Sequence, residues 1–407
     1  MEAYIVEWLN LLGRWLHFIV GIAWIGSSFY FVWLDNHLRP PADAEADGKG
    51  VGGELWSVHG GGFYHAQKYR VAPARLPEQL HWFKWEAYST WISGMFLLGL
   101  IYWYGAEVYL IDSGVAELSP PLAVGIGIAF IAGGWLLYDL LCRSALGRNE
   151  AALGAVLAVL LTVAAWGLCE LFSGRGAYIH FGAMIGTLMV ANVFFVIIPG
   201  QRRMVAATAA GETPDPADGI RGKQRSVHNT YFTLPLLFVM ISNHYAMTYG
   251  HRYNWLILVA MSLAGALIRV YFVARHRGRA SPVPAVAAVA LLAVIAAAIA
   301  PRPSPARTAQ AGTPATFADV VRIVNQRCTG CHAEQPTFEG FAAAPGGVVF
   351  DTAEQIADDA LRIHQQTVVT RIMPIGNLTD MRDEERAVID AWYAGGAGMA
   401  WVAEHGR

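Results

Sequence analysis

The amino-acid sequence predicts an all-α protein, a polytopic bundle of eight transmembrane helices followed by a small soluble helical domain. Of the 407 residues, 55 % are hydrophobic and only 15 % are charged, whereas about a quarter of the residues in soluble domains are charged. A soluble globule of this length has too much surface to hide so much apolar material. Eight apolar stretches have the length, about 20 residues, that a bilayer core requires.

Composition excludes several other classes of protein. A net charge of −2 leaves no basic surface for nucleic acid. Only four cysteines are present, which is too few for a disulfide scaffold, and the low charge excludes a disordered chain. The 14 Trp and 16 Tyr are typical of membrane interfaces, where an apolar ring with a polar tip is favoured.

The charges of the connecting loops predict how the eight spans are oriented. The predicted spans are 15–34, 89–110, 121–141, 151–171, 178–199, 229–248, 254–274 and 283–300. Sixteen Lys and Arg lie in the first, third, fifth and seventh loops, whereas the alternate loops hold only Arg175 and Arg252. Because cytoplasmic loops carry the excess of Lys and Arg, both termini are predicted to be periplasmic, and the location is the inner membrane of a bacterium.

The chain divides into three parts. Residues 1–300 form the predicted membrane domain, and residues 301–315 form a linker rich in Pro and Ala. If extended, this linker reaches roughly 45 Å, at about 3.1 Å per residue. Residues 316–407 have an acid-rich helical pattern and are predicted to form a separate small domain.

One strong motif lies in this C-terminal domain. Cys328, Cys331 and His332 form C-x-x-C-H, the signature of covalent haem attachment. Two cysteines on one helical turn reach the two vinyl groups of a porphyrin, and the following histidine is placed to bind the iron. A redox or zinc C-x-x-C pair is the alternative, but it does not require the histidine.

A sixth iron ligand is expected downstream, and Met373 is the predicted one. Pro374 prevents a helix around it and favours an extended loop. A thioether ligand raises the reduction potential, which makes the haem a good electron acceptor. The competing candidates are Met381, Met399 and His364. The motif and the methionine together resemble a class I c-type cytochrome over some 85 residues.

Three histidines of the membrane domain are candidate ligands of a second haem, a haem b. His17, His180 and His244 fall near the periplasmic leaflet in the predicted topology, and ionisable residues inside a membrane are costly. Glycines four residues before and after His17 predict a flat helix face on which a porphyrin could pack. The alternative is that these histidines only form hydrogen bonds with neighbouring helices.

A glycine-rich segment on the cytoplasmic side is the candidate catalytic and substrate site. It holds His59, His65 and Lys68 as candidate catalytic groups, and Arg70 and Phe63 as candidate substrate contacts. Its three glycines allow the backbone to approach a ligand, and the spacing is not that of a nucleotide-binding loop. The alternative is an interfacial loop with aromatic and basic anchors.

The whole chain resembles the bacterial membrane-bound urate hydroxylases. The resemblance is carried by Gly13-Arg14-Trp15-Leu16-His17 with Trp24-Ile25-Gly26, by Trp56 with His59-Gly60-Gly61-Gly62, and by C-x-x-C-H with Met373-Pro374. The first of these is also similar to a haem-binding membrane family that oxidises protoporphyrinogen. The resemblance implies that urate and water give 5-hydroxyisourate, two protons and two electrons. It also implies that the electrons pass to the haem c and then to soluble cytochrome c and a terminal oxidase, without peroxide.

The sequence contains the residue types that urate oxidation needs, but it does not show where the substrate site lies. Urate is an anion at neutral pH, so its site needs Arg or Lys and an aromatic surface, and a histidine is the usual general base. Two other functions stay open. A quinol:cytochrome c oxidoreductase would share the spans, the histidines and the haem c. A transporter fused to a cytochrome would show inverted repeats or broken spans, and Pro235 is the only proline that interrupts a span.

Overall fold

The computed structural model describes residues 2–276, 278, 281–300, 315–338, 341 and 343–396. The bundle consists of α1 (Glu2–His37), α3 (Trp85–Leu98), α4 (Ala106–Tyr109), α5 (Pro120–Arg143), α6 (Glu150–Cys169), α7 (Gly174–Ala191), α8 (Ile198–Ala209), α9 (Pro216–Ser242), α10 (Ala246–Tyr249), α11 (Asn254–His276) and α12 (Val283–Ala298), with the short α2 (Ala44–Gly48) preceding a hairpin. Short π-helical segments, Gly99–Trp103 and Asn192–Ile197, continue α3 and join α7 to α8. Nearly all of the linker, residues 301–314, lies outside the described residues.

Helix α7 is the centre of the bundle. Twelve of its eighteen residues are buried, and it packs against α3, α5, α6 and α9. Small residues allow this close packing: a Cβ on Gly182 would lie 2.6 Å from a methyl of Val239, and one on Gly127 of α5 would lie 2.7 Å from the ring of His180. Ser173 begins the helix as its N-cap, since its side chain accepts a hydrogen bond from the Gly176 amide.

Each of the eight predicted apolar segments is helical for most of its length. Among the described residues, five helices are long and apolar enough to cross a membrane by length and composition: Tyr4–His37, Pro120–Arg143, Glu150–Cys169, Gly174–Ala209 and Asn254–His276. Large apolar side chains on these helices face outward, including Phe18 and Leu136, whose exposed fractions are 68 % and 67 %. Such exposure is unfavourable in water and is expected in lipid. Crossing by the other three segments stays a prediction.

The glycine-rich segment forms a β-hairpin, which the prediction of an all-α protein did not include. Strands β1 (Val51–His59) and β2 (Gly62–Tyr69) are antiparallel. Gly60 and Gly61 join them with φ values of 56° and 81°, and positive φ at both central residues is the geometry of a tight type I′ turn. The glycines therefore serve a turn here, and a Cβ on either would meet nothing within 4 Å.

The C-terminal domain is helical and has its own core. It contains α13 (Phe317–Arg327), α14 (Ala353–Asp358), α15 (Ala360–His364) and α16 (Asp383–Ala394). Helix α13 begins with a capping box in which Thr316 and Asp319 exchange hydrogen bonds. Its apolar face buries Ile323 and Val324 against Ile389 of α16 and other core residues.

This domain docks on one end of the bundle through the loop that follows α15. Ile372 of that loop packs against the core of the bundle. A Cβ on Gly376 would lie 2.9 Å from the carbonyl oxygen of Ile111, and one on Gly250 would lie 2.7 Å from that of Thr370. The contact is thus close enough for backbone to meet backbone, and it lies at the end of the bundle where α5 and α11 begin.

Candidate functional site

The cysteines and the predicted axial ligands of the C-terminal domain line one cavity. Cys328, Cys331 and His332 come from the segment after α13. Met373 comes from the docking loop, which is the loop after α15 that contacts the bundle. The His332 ring donates a hydrogen bond from Nδ1 to the carbonyl oxygen of Val348 at 3.0 Å. Such a bond fixes the ring and leaves Nε2 for a metal. These residues fit a covalently attached haem.

Burial affects the two thiols of this cavity. It raises the pKa of the Cys328 thiol to about 12 and also raises the pKa of the Cys331 thiol. Among the described residues, no group of three or more His, Cys, Asp or Glu side chains is placed to hold a metal ion. A zinc site at this C-x-x-C pair would need such a group, so the residues fit a haem better than zinc.

The competing axial candidates are engaged elsewhere. Met381 is 4 % exposed and packs in the core of the C-terminal domain. His364 bonds to Asp390 at 2.8 Å, and its ring stacks on Tyr393 with centroids 4.2 Å apart. Met399 lies outside the described residues. Of these candidates, Met373 is the one that lines the cavity.

The three membrane histidines lie in separate surroundings. His17 Nδ1 lies 3.0 Å from the Ser93 hydroxyl, and Phe96 and Leu97 fill the space beside Gly13 that was predicted for a porphyrin. His180 is fully buried, and both of its ring nitrogens are used. Its Nδ1 bonds to the carbonyl oxygen of Gly176 at 2.9 Å, and its Nε2 accepts a hydrogen bond from Trp103 at 3.1 Å. His244 is exposed in the turn after α9.

This arrangement does not fit a haem b between His17 and His180. An axial histidine needs one free ring nitrogen, and His180 has none. The close approach of Gly127 to the His180 ring also leaves no room for a plate-shaped group there.

The hairpin distributes the predicted catalytic and substrate residues over exposed surface. Lys68 is ion-paired with Asp35, and Arg70 with Asp47. His65 bonds to Glu54 at 3.0 Å and stacks on Trp56, with ring centroids 4.2 Å apart. His59 is exposed at the end of β1.

The structure brings His65 and Glu54 together but does not gather the predicted set around one enclosed space. The Phe63 side chain is 80 % exposed. Among the described residues, no hairpin residue lines the cavity of the C-terminal domain or the cavity of the bundle described below.

A second cavity, of about 1510 Å³, lies between helices of the bundle and is partly open to the outside. Helix α6 forms one wall, and α9 and α11 form the other. Phe181 and Ile185 of α7 lie between these walls. The charged residues lie near the ends of α5 and α8 and the start of α9, at the opposite end of the bundle from the docked C-terminal domain. This cavity is therefore apolar inside and charged at its mouth.

The lining of this mouth is strongly cationic. Among the described residues, Glu150 is the only carboxylate that lines it. Six basic residues line it: Arg143, Arg148, Arg203, Arg221, Lys223 and Arg225. Asp139 binds both Arg143 and Arg225, and Asp218 binds both Arg203 and Arg221. Each aspartate is shared by two arginines, so each group of one aspartate and two arginines keeps a net positive charge.

A buried chain of hydrogen bonds lies behind the cavity. The Asn192 amide donates to the Tyr138 hydroxyl at 2.9 Å, and that hydroxyl lies 2.8 Å from Nδ1 of His228. A carboxylate only accepts, so the Nε2 atom of His228, 3.2 Å from the Glu150 carboxylate, carries the ring proton. In the neutral ring Nδ1 is then an acceptor, and the Tyr138 hydroxyl donates to it. The chain of bonds thus has one direction and ends at the cavity.

Sequence reasoning missed this group. The interacting residues come from α5, α6, α9 and the π-helical segment after α7, so no local spacing connects them. The cluster of Arg221, Lys223 and Arg225 just before an apolar stretch was the available signal.

Comparison with known proteins identifies the family of the membrane domain. No curated protein and no solved structure matches the chain. Residues 3–300 match the family described as urate oxidase N-terminal, which covers the entire bundle and ends just before the linker. The chain belongs to the urate oxidase N-terminal family.

Proposed function

We propose that this protein is a membrane-bound urate hydroxylase that delivers electrons to its own haem c. The bundle converts urate and water to 5-hydroxyisourate, two protons and two electrons. The electrons leave one at a time through the C-terminal domain to soluble cytochrome c or a terminal oxidase, so that no peroxide forms. Family membership over residues 3–300, in a chain that also places C-x-x-C-H and Met373 around one cavity, carries the proposal.

The cavity of the C-terminal domain would hold the haem c. Cys328 and Cys331 would bond its vinyl groups, and His332 and Met373 would be its axial ligands. When bound, the haem supplies a one-electron acceptor. The protein's own contribution is to orient His332 through Val348 and to keep the site apolar.

Docking supports electron transfer within the chain. The loop that carries Met373 also carries Ile372 and Gly376, which contact the bundle. A haem ligand therefore lies within three residues of the interface between the two domains. The fit of Gly376 against Ile111 favours one docked position of the C-terminal domain.

The proposed orientation follows from the loop charges. The C-terminal domain and both termini would be periplasmic, and the hairpin and the cationic mouth would be cytoplasmic. A haem b would shorten the path between the two ends, but the pair His17 and His180 does not fit it. Acid–acetone extraction of active protein tests for a haem b, because it removes haem b and leaves haem c bound.

An anaerobic spectrum tests the proposed function. Purified protein is oxidised, freed of oxygen and mixed with urate. The proposal expects the bands of reduced haem c, and 5-hydroxyisourate as the product. Allantoin, which is already the product of further urate breakdown, serves as a matched control that should give no reduction. Absence of reduction by urate would refute the proposal.

A quinol:cytochrome c oxidoreductase remains the second candidate. The apolar inner walls of the bundle cavity favour it, since a quinol ring with an isoprenoid tail would fit such walls. A short-chain quinol that reduces the haem c in protein unresponsive to urate would select this alternative.

A further inference from the structure

We infer that the cavity between α6, α9 and α11 is the urate site, with Glu150 as the group that takes a proton from urate and His228 as the residue that positions it. This inference rests on the proposed function and specifies its location. It replaces the exposed hairpin as the place where the substrate binds. Shape, charge and hydrogen bonding support it separately.

The shape of the cavity suits a small planar ring. Its lining includes Phe181, Phe232, Tyr231 and Leu157. Flat aromatic and branched apolar side chains pack on both faces of a purine-like ring. The hairpin has no such enclosure, since its Phe63 is almost fully exposed.

The charge of the cavity suits an anion. Arg225 is 3 % exposed, donates to Asp139 at 2.7 Å and to Asn192 at 3.2 Å, and lies over the Tyr138 ring at 4.9 Å. Its position is therefore fixed from three sides before any ligand arrives. Because the cations at the mouth outnumber the carboxylates that pair with them, they create a positive field that attracts an anion from the cytoplasm. Arg148 lines this mouth from the turn before α6.

Glu150 is held ready to accept a proton. Its Oε1 accepts a hydrogen bond from the Gln224 amide at 2.7 Å, and its Oε2 lies 3.2 Å from Nε2 of His228. Its side chain is 61 % exposed toward the cavity mouth. The titratable and charged groups around this pair are Tyr138, whose hydroxyl lies 2.8 Å from Nδ1 of His228, together with Cys142 and Arg225.

The proton transfer is balanced without any further reactant. An N–H bond of the urate anion breaks, its proton moves to a Glu150 oxygen, and its electron pair stays on the ring. The more electron-rich ring is then easier to oxidise. His228 keeps its ring proton and stabilises Glu150 through the hydrogen bond, so His228 is a positioning residue.

Steady-state kinetics with matched variants test the assignment. Glu150→Gln should lower kcat roughly 100-fold, the usual contribution of a general base, and should remove the acidic limb of the pH profile. His228→Gln should shift that limb rather than remove it. Arg148→Ala should raise KM for urate roughly tenfold through the loss of a charge and leave kcat nearly unchanged. The controls should behave as wild type. They are one variant for each residue type: Glu78→Gln, His81→Gln and Arg75→Ala.

Thiol protection tests binding without any turnover. Cys142 lines the cavity, whereas Cys169 is equally buried but does not line it. Urate should slow the modification of Cys142 by a small methanethiosulfonate reagent and leave that of Cys169 unchanged. This readout also serves any variant that loses activity, because it reports whether the cavity still forms.

The outcomes separate the two proposals. Urate oxidation that is unaffected by all three cavity variants, with no protection of Cys142, would overturn the site and leave the function standing. Protection of Cys142 without urate oxidation would support the site and refute the hydroxylase function. Absence of both would overturn both.

Discussion

The Nδ1 atom of His332 donates a hydrogen bond to the carbonyl oxygen of Val348 at 3.0 Å, across sixteen residues of sequence. This bond fixes the ring plane and the tautomer, so that Nε2 is the nitrogen left to bind a metal. The methionine that lines the same cavity comes from a loop on the other side of α15. The site is thus assembled from two segments, one of which also contacts the bundle.

Replacing the predicted axial methionine should change the haem without unfolding the domain. Met373→Ala should lower the reduction potential, because a thioether ligand raises it. Potentiometric titration of the purified protein measures this. Met381→Ala is the control: it should cost about 2–5 kcal/mol of stability by creating a core cavity, yet keep the potential. Equal potentials in wild type and Met373→Ala would show that another group is the ligand.

Disturbing the docking loop should slow electron delivery. Gly376 has a φ of 55°, and a Cβ there would lie 2.9 Å from the Ile111 carbonyl oxygen. Gly376→Ala should reduce the docked population about fivefold or more, as expected for about 1–3 kcal/mol of overpacking. Stopped-flow reduction of the haem c by urate measures this rate.

Gly346→Ala is the matched control for that experiment. Gly346 has a φ of 65° in another short turn of the same domain, but nothing lies within 4 Å of its Cβ position. It therefore carries the same backbone strain without the contact. Equal slowing in both variants would assign the effect to strain alone and contradict the docking prediction.

The junction of α8 and α9 should weaken in acid. Hydrogen bonds from Arg203 and Arg221 lower the pKa of Asp218 from 3.8 to about 2. Because the folded pKa is the lower one, this carboxylate stabilises the fold fully above about pH 4, and the stabilisation is lost as the pH falls toward 2. Asp218→Asn should lower the melting temperature in detergent at pH 7, by an amount that corresponds to about 1 kcal/mol.

The difference in melting temperature between wild type and Asp218→Asn should narrow steadily from pH 4 to pH 2.5. Glu212→Gln, a change in the nearby exposed connection, should show no such dependence. A difference that stays constant through this range would mean that the two ion pairs do not stabilise the folded protein.

Protease accessibility tests the proposed topology. Sixteen Lys and Arg in one set of loops against two in the other predict a periplasmic C-terminal domain and a cytoplasmic hairpin. Protease added to intact spheroplasts should release the haem-stained domain and leave the hairpin uncut. Cleavage near Gly60, with survival of the C-terminal domain, would invert the orientation.

Local patterns predicted the helices well, because runs of apolar residues of this length favour helices whatever the rest of the chain does. The haem interpretation of C-x-x-C-H, which depends on five consecutive residues, stays a prediction. The hairpin was missed although Gly60-Gly61 lies between strands of alternating residues, because the three glycines were interpreted as a ligand loop. Helical surroundings also favoured an all-α prediction.

The cavity was beyond local patterns for a physical reason. Glu150 and His228 are 78 residues apart and meet only when the fold brings the start of α6 close to α9. Asn192 and Tyr138 are likewise joined only through tertiary packing. A sequence shows that a buried amide needs a partner, but packing decides which partner it has.

The positions of the cavity mouth and the docked domain, at opposite ends of the bundle, have an energetic consequence. In the proposed orientation, electrons released from urate travel from the negative to the positive side of an energised membrane. Each electron that crosses the full thickness gains about 2.3 kcal/mol per 100 mV. The protons stay in the cytoplasm, so every turnover partly discharges the membrane. Urate breakdown would then draw on the cell's proton-motive force and would slow when an uncoupler collapses it.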